Sequence, residues 1–452
     1  MSVMPLTPQQ CQAARLARDG RFDGVFYTAV LTTGIYCRPI CPARPPKEAN
    51  VRYFPSAAAC AQQGYRPCLR CKPDAAPAPA SSATLTTAMG QLNAGASVVQ
   101  VAQQLAISDR YLRKLFVTEL GVAPKQYQLY QRCLLAKQLL HQTALPITQI
   151  AFASGFESVR RFNDCFAQQL KLTPSAVRAQ DSGQTAAKNQ PSLTLNLSYR
   201  PPYNWPWVCD FLRARAIVGL ETVSAEHYGR QFYLGAEKVS FVALHQTEQC
   251  QFQVTIQLSN WRLLIAAVDK IRRMLDLNAN SFFIDQALAS AAPTIVLNAG
   301  LRIPQFPSCF EAGVRAVLGQ QVSVAAARNL VAQVVANLGE RDGELHWFPL
   351  PERLAEHSLD FLKMPGQRRD TLRRLAQFCV EQPSANARDW LALKGIGPWT
   401  VDYACMRGQG DTDIWLSGDL GVKHSLAKLG AVNDSLAQPW RSYLTVQMWS
   451  QL

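Results

Sequence analysis

Apolar residues recur at helical spacing through most of this chain and alternate in only one stretch. Between 84 and 180 two related patterns stand out. Ser97-Val-Val-Gln-Val-Ala-Gln-Gln-Leu and Ile147-Thr-Gln-Ile-Ala-Phe-Ala each predict a short apolar helix. Each leads into a tight turn, at Ile107-Ser108 and at Ser154-Gly155-Phe156, and then into a longer, arginine-bearing helix. In the second longer helix Val159, Phe162 and Phe166 share a face, so Arg160, Arg161 and Asn163 point outward. The stretch Asp109–Lys114, with Arg110 and Arg113, is the first copy's counterpart. Pro124 suits the first turn of a connecting helix that runs to Gln142. One such pattern is a plain helical hairpin; two, with 50 residues between Ser108 and Ser158, predict a duplicated unit.

Alternation takes over between 193 and 260. Ser-Leu-Thr-Leu-Asn-Leu-Ser-Tyr, the run from Phe232 to Gln246 and Cys250-Gln-Phe-Gln-Val-Thr-Ile-Gln-Leu-Ser predict strands. Beyond 305 helical spacing returns. Two stretches have no period: a Pro/Ala/Ser run over 73–83 and a polar run over 180–192. Both read as linkers, and their composition predicts parts that move independently. The expected parts are 1–75, 84–180 and 193–452, the last with a sheet-containing portion over 193–305 and a helical portion over 306–452. The fold class expected is multidomain and predominantly α.

Composition narrows the class. No run of about 20 apolar residues is present, so no membrane span is expected. The N-terminus is mixed and polar, without an apolar signal region, and a cytoplasmic protein is expected. Thirteen cysteines, an odd number, suit reduced thiols and a metal site better than a disulfide scaffold. The net charge of +14 sits mostly in the N-terminal two-fifths of the chain, which points to a polyanion as partner.

Four of the cysteines form the sharpest local signal: Cys37-Arg-Pro-Ile-Cys41, then Cys68-Leu-Arg-Cys71. Two short-spaced thiol pairs supply four soft ligands suited to one tetrahedral Zn²⁺. By spacing alone the site is either a closed structural knuckle or a reactive thiolate centre.

The flanking residues Thr32-Thr-Gly-Ile-Tyr-Cys37 and Gly64-Tyr-Arg-Pro-Cys68 make residues 7–75 resemble the N-terminal domain of Ada-type alkylation-repair proteins. That resemblance implies a small α+β zinc domain in which Cys37 accepts a methyl group from a DNA methylphosphotriester. Cys41, Cys68 and Cys71 then complete a zinc site that is structural and activates the nucleophile. Thr33, Arg44 and Arg66 are carried over as DNA contacts. Methylation of Cys37 removes one negative charge from the four-thiolate site, so DNA affinity is expected to rise.

The duplicated helical unit resembles the AraC-type DNA-binding domain, most specifically in Ile150-Ala-Phe-Ala-Ser-Gly-Phe-Glu-Ser-Val-Arg-Arg-Phe. The resemblance implies two helix-turn-helix units that place recognition helices in successive major grooves, about 34 Å apart. Arg110, Arg113, Arg160 and Arg161 are its candidate DNA contacts.

In the C-terminal part Leu391-Ala-Leu-Lys-Gly395-Ile-Gly397-Pro-Trp399 reads as a hairpin turn between two apolar helical stretches. Its glycines, Gly395 and Gly397, let backbone amides approach a phosphate. With Asp419 in Trp415-Leu-Ser-Gly-Asp419, Val314-Arg-Ala-Val-Leu-Gly-Gln320-Gln321 and Trp449, it resembles the AlkA alkylpurine glycosylases of the helix-hairpin-helix superfamily. The resemblance spans about 193–452. It implies that Asp419 is the catalytic carboxylate, that Trp399, Tyr403 and Trp449 line a base pocket, and that Gln320 lies near the flipped nucleotide. Gln321 stands where the best-known relative has a leucine wedge. Other roles remain open for these residues: a helix N-cap for Asp419 and core packing for the tryptophans. Trp399 occupies the position of the Schiff-base lysine of strand-cleaving relatives, so a monofunctional glycosylase is expected. Only Cys379 and Cys405 lie in the last hundred residues, too few for a local four-cysteine iron–sulfur cluster.

The expected protein is therefore a DNA alkylation repair enzyme, a glycosylase for alkylated purines such as 3-methyladenine, fused to a methyl-accepting, promoter-binding regulator. Its expected partners are damaged and promoter double-stranded DNA and RNA polymerase; no membrane partner is expected, and the chain is expected to be monomeric. The alternative is an alkylation-responsive transcription regulator whose glycosylase part only recognises DNA.

Overall fold

The computed structural model describes residues 6–71, 73, 83–179 and 192–452. Apart from edge residues, both stretches read as linkers lie outside the described residues. The chain forms two compact units, Met1–Ser198 with Leu258–Asp269, and Tyr199–Gln257 with Lys270–Leu452.

In the first unit α1 (Pro8–Leu16) opens on a capping box, with Thr7 and Gln10 satisfying each other's backbone amides. Four short strands follow: β1 (Tyr27–Val30), β2 (Ile35–Cys37), β3 (Val51–Phe54) and β4 (Arg66–Pro67). They lie in the order β3-β1-β2-β4. The β1–β2 and β1–β3 pairs are antiparallel, and β2–β4 is parallel. The short helix α2 (Ala57–Gln62) buries its run of alanines and Cys60.

Seven helices succeed it: α3 (Ala83–Asn93), α4 (Val98–Gln104), α5 (Asp109–Leu120), α6 (Pro124–Gln142), α7 (Ile147–Ala153), α8 (Val159–Leu170) and α9 (Pro174–Ala179). The duplication is visible residue by residue. Ser108 caps α5 and Ser158 caps α8, each accepting from the amide three residues on. Leu112, Phe116 and Leu120 are buried, as are Phe162, Phe166 and Leu170 fifty positions later. The connecting helix starts at Pro124 and ends at Gln142, the bounds read from the sequence. A strand, β5 (Ser192–Ser198), ends this run of the chain.

The thiol-bearing sheet and the helices do not stand apart, contrary to the expectation of independent parts. Ser56 Oγ donates to the Leu120 carbonyl at 2.6 Å. The Tyr36 and Tyr130 hydroxyls share a hydrogen bond, with both side chains essentially fully buried. The reason is size: a sheet of four short strands cannot bury its own apolar surface and gains by resting on α6.

The second unit begins with α10 (Trp205–Arg213), then β6 (Glu221–Val223), β7 (His227–Leu234), β8 (Glu237–Gln246) and β9 (Gln251–Leu258). These strands neighbour one another in the order β9-β8-β7-β6, with β6–β7 and β7–β8 antiparallel. The alternation read from the sequence is real: Val239, Phe241 and Ala243 are buried on β8, as are Phe252, Val254 and Ile256 on β9. After α11 (Leu264–Met274) and α12 (Ser281–Ala291) come α13 (Cys309–Leu318), α14 (Val324–Leu338), α15 (Pro351–Glu356) and α16 (Gly366–Glu381). Then follow α17 (Pro398–Ala404), α18 (Leu420–Leu429) and α19 (Arg441–Trp449). The stretch before Gly395, read as helical, is instead a 3-10 turn over Ala387–Ala392, opened by an Asn386–Asp389 capping box.

A buried charge quartet joins β6 and β7 to α13. Arg230 bonds Glu221 at 2.6 Å and Glu311 at 2.5 Å, and Arg315 bonds Glu311 at 2.8 Å and Glu221 at 3.0 Å. Two cations and two anions cancel, which is what makes their burial tolerable. Burial pushes the Glu221 carboxyl up, but the two guanidiniums hold it below its ordinary value. Among the described residues no helix is long and apolar enough to cross a membrane.

Candidate functional site

The parallel pairing of β2 with β4 builds the thiol cluster. Its register sets Tyr36 opposite Pro67, so Cys37 and Cys68 emerge side by side. A turn closed by the Cys41 amide on the Arg38 carbonyl, at 3.2 Å, returns Cys41 to the same spot. The sulfurs of Cys37, Cys41, Cys68 and Cys71 all lie within 4.8 Å of one another. Four thiolates about 2.3 Å from a tetrahedral Zn²⁺ lie about 3.8 Å apart, so the donor set fits one such ion. Without a cation they cannot all ionise. A hydrogen bond to Cys71, together with burial, pushes the Cys37 thiol well up, while that same bond lowers Cys71 to about 6.

The four sulfurs are not equivalent. The Arg38 amide donates to Cys71 Sγ at 3.3 Å, and the Ala43 amide donates to the Cys41 sulfur. Among the described hydrogen bonds no backbone amide donates to the sulfur of Cys37 or of Cys68; Cys37, like Cys41, is partly exposed, whereas Cys68 and Cys71 are buried. An N–H···S bond withdraws charge from a thiolate, so Cys37 is the member of the cluster that combines exposure with a sulfur free of such bonds among the described residues. The Arg38 side chain braces the cluster, gripping Asp23 through two nitrogens and donating to the Cys71 carbonyl at 3.3 Å.

Cys37 faces a cavity of about 460 Å³. All three sequence candidates, Thr33, Arg44 and Arg66, line it, and so does Arg70, which the sequence reading passed over. Arg44, Arg66 and Arg70 have no ion-pair partner among the described residues, whereas Arg15 in the same wall is committed to Glu48 at 2.5 Å. The other basic candidates lie elsewhere in this unit: Arg110 and Arg113 are exposed on α5, and Arg160 and Arg161 on α8.

In the second unit the Asp419 carboxylate is held by four N–H donors. It is the N-cap of α18, its Oδ1 accepting from the Gly421 amide at 2.9 Å and the Val422 amide at 3.2 Å. The Trp449 indole adds a third bond to Oδ1 at 3.0 Å. Among the described residues Oδ2 accepts only from the Trp399 indole, at 3.1 Å. Both roles considered for Asp419 are therefore compatible: one oxygen is saturated by the cap and one indole, and the other keeps a free lone pair. The tryptophans are held by their polar edges and are only partly buried against the core. Trp399 stacks on Tyr403 at 5.4 Å, and Tyr403 lies 6.4 Å from Trp449. The sequence reading missed Phe211, which stacks on Trp449 at 6.0 Å and 18°, and Trp207 beyond it at 5.0 Å. An aromatic pair on the face of α10 was their only signal.

The hairpin and the loop after α13 meet beside this cluster. Gln320 Nε2 donates to Thr400 Oγ1 at 3.1 Å and reaches the Gly395 carbonyl at 3.5 Å. Gln321 is exposed and left-handed, with φ +58°, a strained conformation for a residue with a side chain. The two glycines differ. Gly395 has φ +96°, and a Cβ there would meet Thr371 Oγ1 at 2.1 Å, so the protein itself requires glycine. A Cβ on Gly397 would meet nothing within 4 Å, which leaves its surface open to an outside molecule.

Three sequence families match along the chain: the metal-binding domain of Ada over residues 10–74, a helix-turn-helix domain over 101–180 and the AlkA N-terminal domain over 194–308. Together they describe a zinc-binding Ada part, a helix-turn-helix part and an AlkA-type part in one chain. A Mycobacterium tuberculosis protein named "Probable bifunctional transcriptional activator/DNA repair enzyme AlkA" is 36% identical over 98% of this chain and 96% of its own. The chain belongs to this Ada/AlkA family. DNA-3-methyladenine glycosylase 2 of Escherichia coli is 30% identical over 56% of this chain and 95% of its own. The bifunctional transcriptional activator/DNA repair enzyme Ada of the same organism is 37% identical over 27% of this chain and 36% of its own.

Proposed function

We propose that this chain repairs alkylated DNA by two separate chemistries and signals the damage through its helix-turn-helix part. The observation that carries the glycosylase half is the asymmetry of Asp419, with Oδ1 saturated by three N–H donors and Oδ2 bonded once among aromatic faces. A base flipped from the duplex replaces its lost stacking with such faces. Alkylated purines such as 3-methyladenine are cationic, and an electron-rich ring holds them by about 0.5–2 kcal/mol. As the bond from C1′ to the base nitrogen breaks, its electron pair leaves with the base and positive charge grows on the sugar. Oδ2 is the carboxylate oxygen free to stabilise that charge and to orient the water that adds at C1′. No lysine stands at the Schiff-base position, and the product is an abasic site in an uncut strand. Gly397, with open space beyond it, and Gly395 receive a DNA phosphate; Gln320 braces the hairpin, and Gln321 fills the place of the lost base.

In the N-terminal part a bound Zn²⁺ keeps the cluster's thiols ionised at neutral pH. Cys37 Sγ attacks the methyl carbon of a methylphosphotriester; the S–C bond forms as the C–O bond breaks, and the phosphodiester departs as an anion. Cys41, Cys68 and Cys71 hold the ion, and Thr33, Arg44 and Arg66 hold the flanking backbone. A methylated phosphate is neutral and approaches an anionic cluster that repels an ordinary one. Cys37 becomes a thioether and is consumed, so the reaction is stoichiometric. The loss of one negative charge favours DNA, and Arg110, Arg113, Arg160 and Arg161 then engage a promoter. The chain acts as a cytoplasmic monomer that recruits RNA polymerase.

One duplex carrying labelled methyl groups tests both halves. Incubation with the zinc-loaded chain should release labelled free bases and leave about one labelled methyl per chain on Cys37. Retained label without released bases would favour the regulator whose glycosylase part only recognises DNA.

A further inference from the structure

Two arginines near Asp419, Arg407 buried and Arg215 partly exposed, make no ion pair among the described residues. Arg407 is 1% exposed; it donates to the Pro304 carbonyl and, at 3.3 Å, to the Tyr403 hydroxyl. Arg215 lies 3.7 Å over the Phe211 ring and donates to the Phe211 carbonyl at 3.1 Å. No carboxylate contacts either guanidinium among the described residues. The Arg215 backbone is itself fixed, its carbonyl accepting from Arg315 of the buried quartet at 3.2 Å. Elsewhere in this unit buried guanidiniums are met more fully: those of the quartet by carboxylates, and Arg302 by the carbonyls of Asp276, Ala279, Arg200 and Pro202.

The two unpaired cations border the Asp419 cluster by short steps. Asp419 holds Trp449, Trp449 stacks on Phe211, and Phe211 has Arg215 at 3.7 Å and Arg407 at 4.8 Å from its ring centre. Burial lowers Arg215 to about 10, with Tyr403 and Asp419 among the charges acting on it. A desolvated cation without a partner is costly. Among the described residues, one of the five N–H donors of Arg215 is used.

We propose that Arg215, supported by Arg407, is a specificity-determining residue that stabilises negative charge on the departing base. This rests on the glycosylase reading above. A base that is neutral in DNA leaves with the electron pair of the C1′–N bond and so becomes an anion until water protonates it. A base that is cationic in DNA leaves neutral and gains nothing from a guanidinium. Arg215 therefore widens the pocket's range toward neutral lesions whose rings present lone pairs, and does so against its own repulsion of cationic ones.

The test uses two duplexes, one with a single deoxyinosine and one with a single 7-methyldeoxyguanosine, under single-turnover conditions with the full chain. Wild type should release both bases. In Arg215→Met the ratio of hypoxanthine to 7-methylguanine release should fall at least about tenfold. Arg215→Lys, which keeps the charge without the fork, should recover part of that ratio. The proposal is overturned by an unchanged ratio, or by a wild type that releases 7-methylguanine and no hypoxanthine. If wild type releases neither base, the glycosylase reading itself falls. Release of 7-methylguanine by the Met variant shows that it is folded; if it is not, the Lys variant decides by the same ratio.

Discussion

The Trp399 indole donates to Asp419 Oδ2 at 3.1 Å across twenty residues of chain. It ties the helix that follows the hairpin to the first turn of α18, so the aromatic wall and the carboxylate are set in place by one another. Replacing Trp399 by Phe keeps an aromatic face and removes this bond. A hydrogen bond to a charged group contributes about 1.5–3 kcal/mol, so base release should slow by roughly tenfold to a hundredfold. Trp449→Phe, which leaves the two backbone amides on Oδ1, should slow it less. Single-turnover release from methylated duplex DNA checks the order.

Cys37 and Cys71 should separate function from structure. Cys71 is buried and receives the Arg38 amide, whereas Cys37 is partly exposed on the cavity. Cys37→Ala should keep zinc on three thiolates and accept no methyl group. Cys71→Ala should lose zinc and melt far earlier. Metal content after dialysis, with methyl uptake alongside, distinguishes the two; equal methyl uptake by Cys37→Ala would contradict the assignment.

The Tyr36–Tyr130 bond joins the strand that ends in Cys37 to the helix that connects the two helix-turn-helix units. Tyr130→Phe leaves the buried Tyr36 hydroxyl without its partner, at a cost of about 1–3 kcal/mol. Tyr36→Phe should behave alike, and the double variant should be more stable than either single one. Chemical denaturation of all four proteins reads this directly; additive losses would argue against the contact.

Burial lowers the His245 imidazole to about 4, against about 6.5 in an unfolded chain. Between these values the unfolded chain binds the proton more readily. The stability due to neutral His245 is therefore present above about pH 6.5 and is lost as the pH falls toward 4. Urea unfolding at pH 7.5 and 5 should show a smaller acid loss for His245→Phe than for wild type.

Much of this architecture is written locally. Strand alternation, the turns ahead of α5 and α8 and the four-cysteine spacing each depend on residues a few positions apart, and each is found where the sequence places it. What stays hidden is contact between distant positions. Nothing near Tyr36 announces Tyr130, 94 residues away. Asp419 reads as a catalytic group by resemblance, with a helix cap as the alternative, and the indoles that fix its geometry come from 20 and 30 positions away. Phe211 and Arg215 belong to no short motif and reach the cluster only through the packing of α10. Gly395 and Gly397 look alike as letters, yet only the first is demanded by a protein neighbour.

The most direct measurement is release of free bases from methylated DNA by wild type and Asp419→Asn. Asparagine caps a helix about as well as aspartate, so this variant should fold, losing the Trp399 bond but keeping those to the other oxygen. The expected result is release by wild type and a fall of at least about a hundredfold in the variant. Equal release by both would contradict the role given to Asp419, and release by neither would leave a DNA-binding regulator in place of a glycosylase.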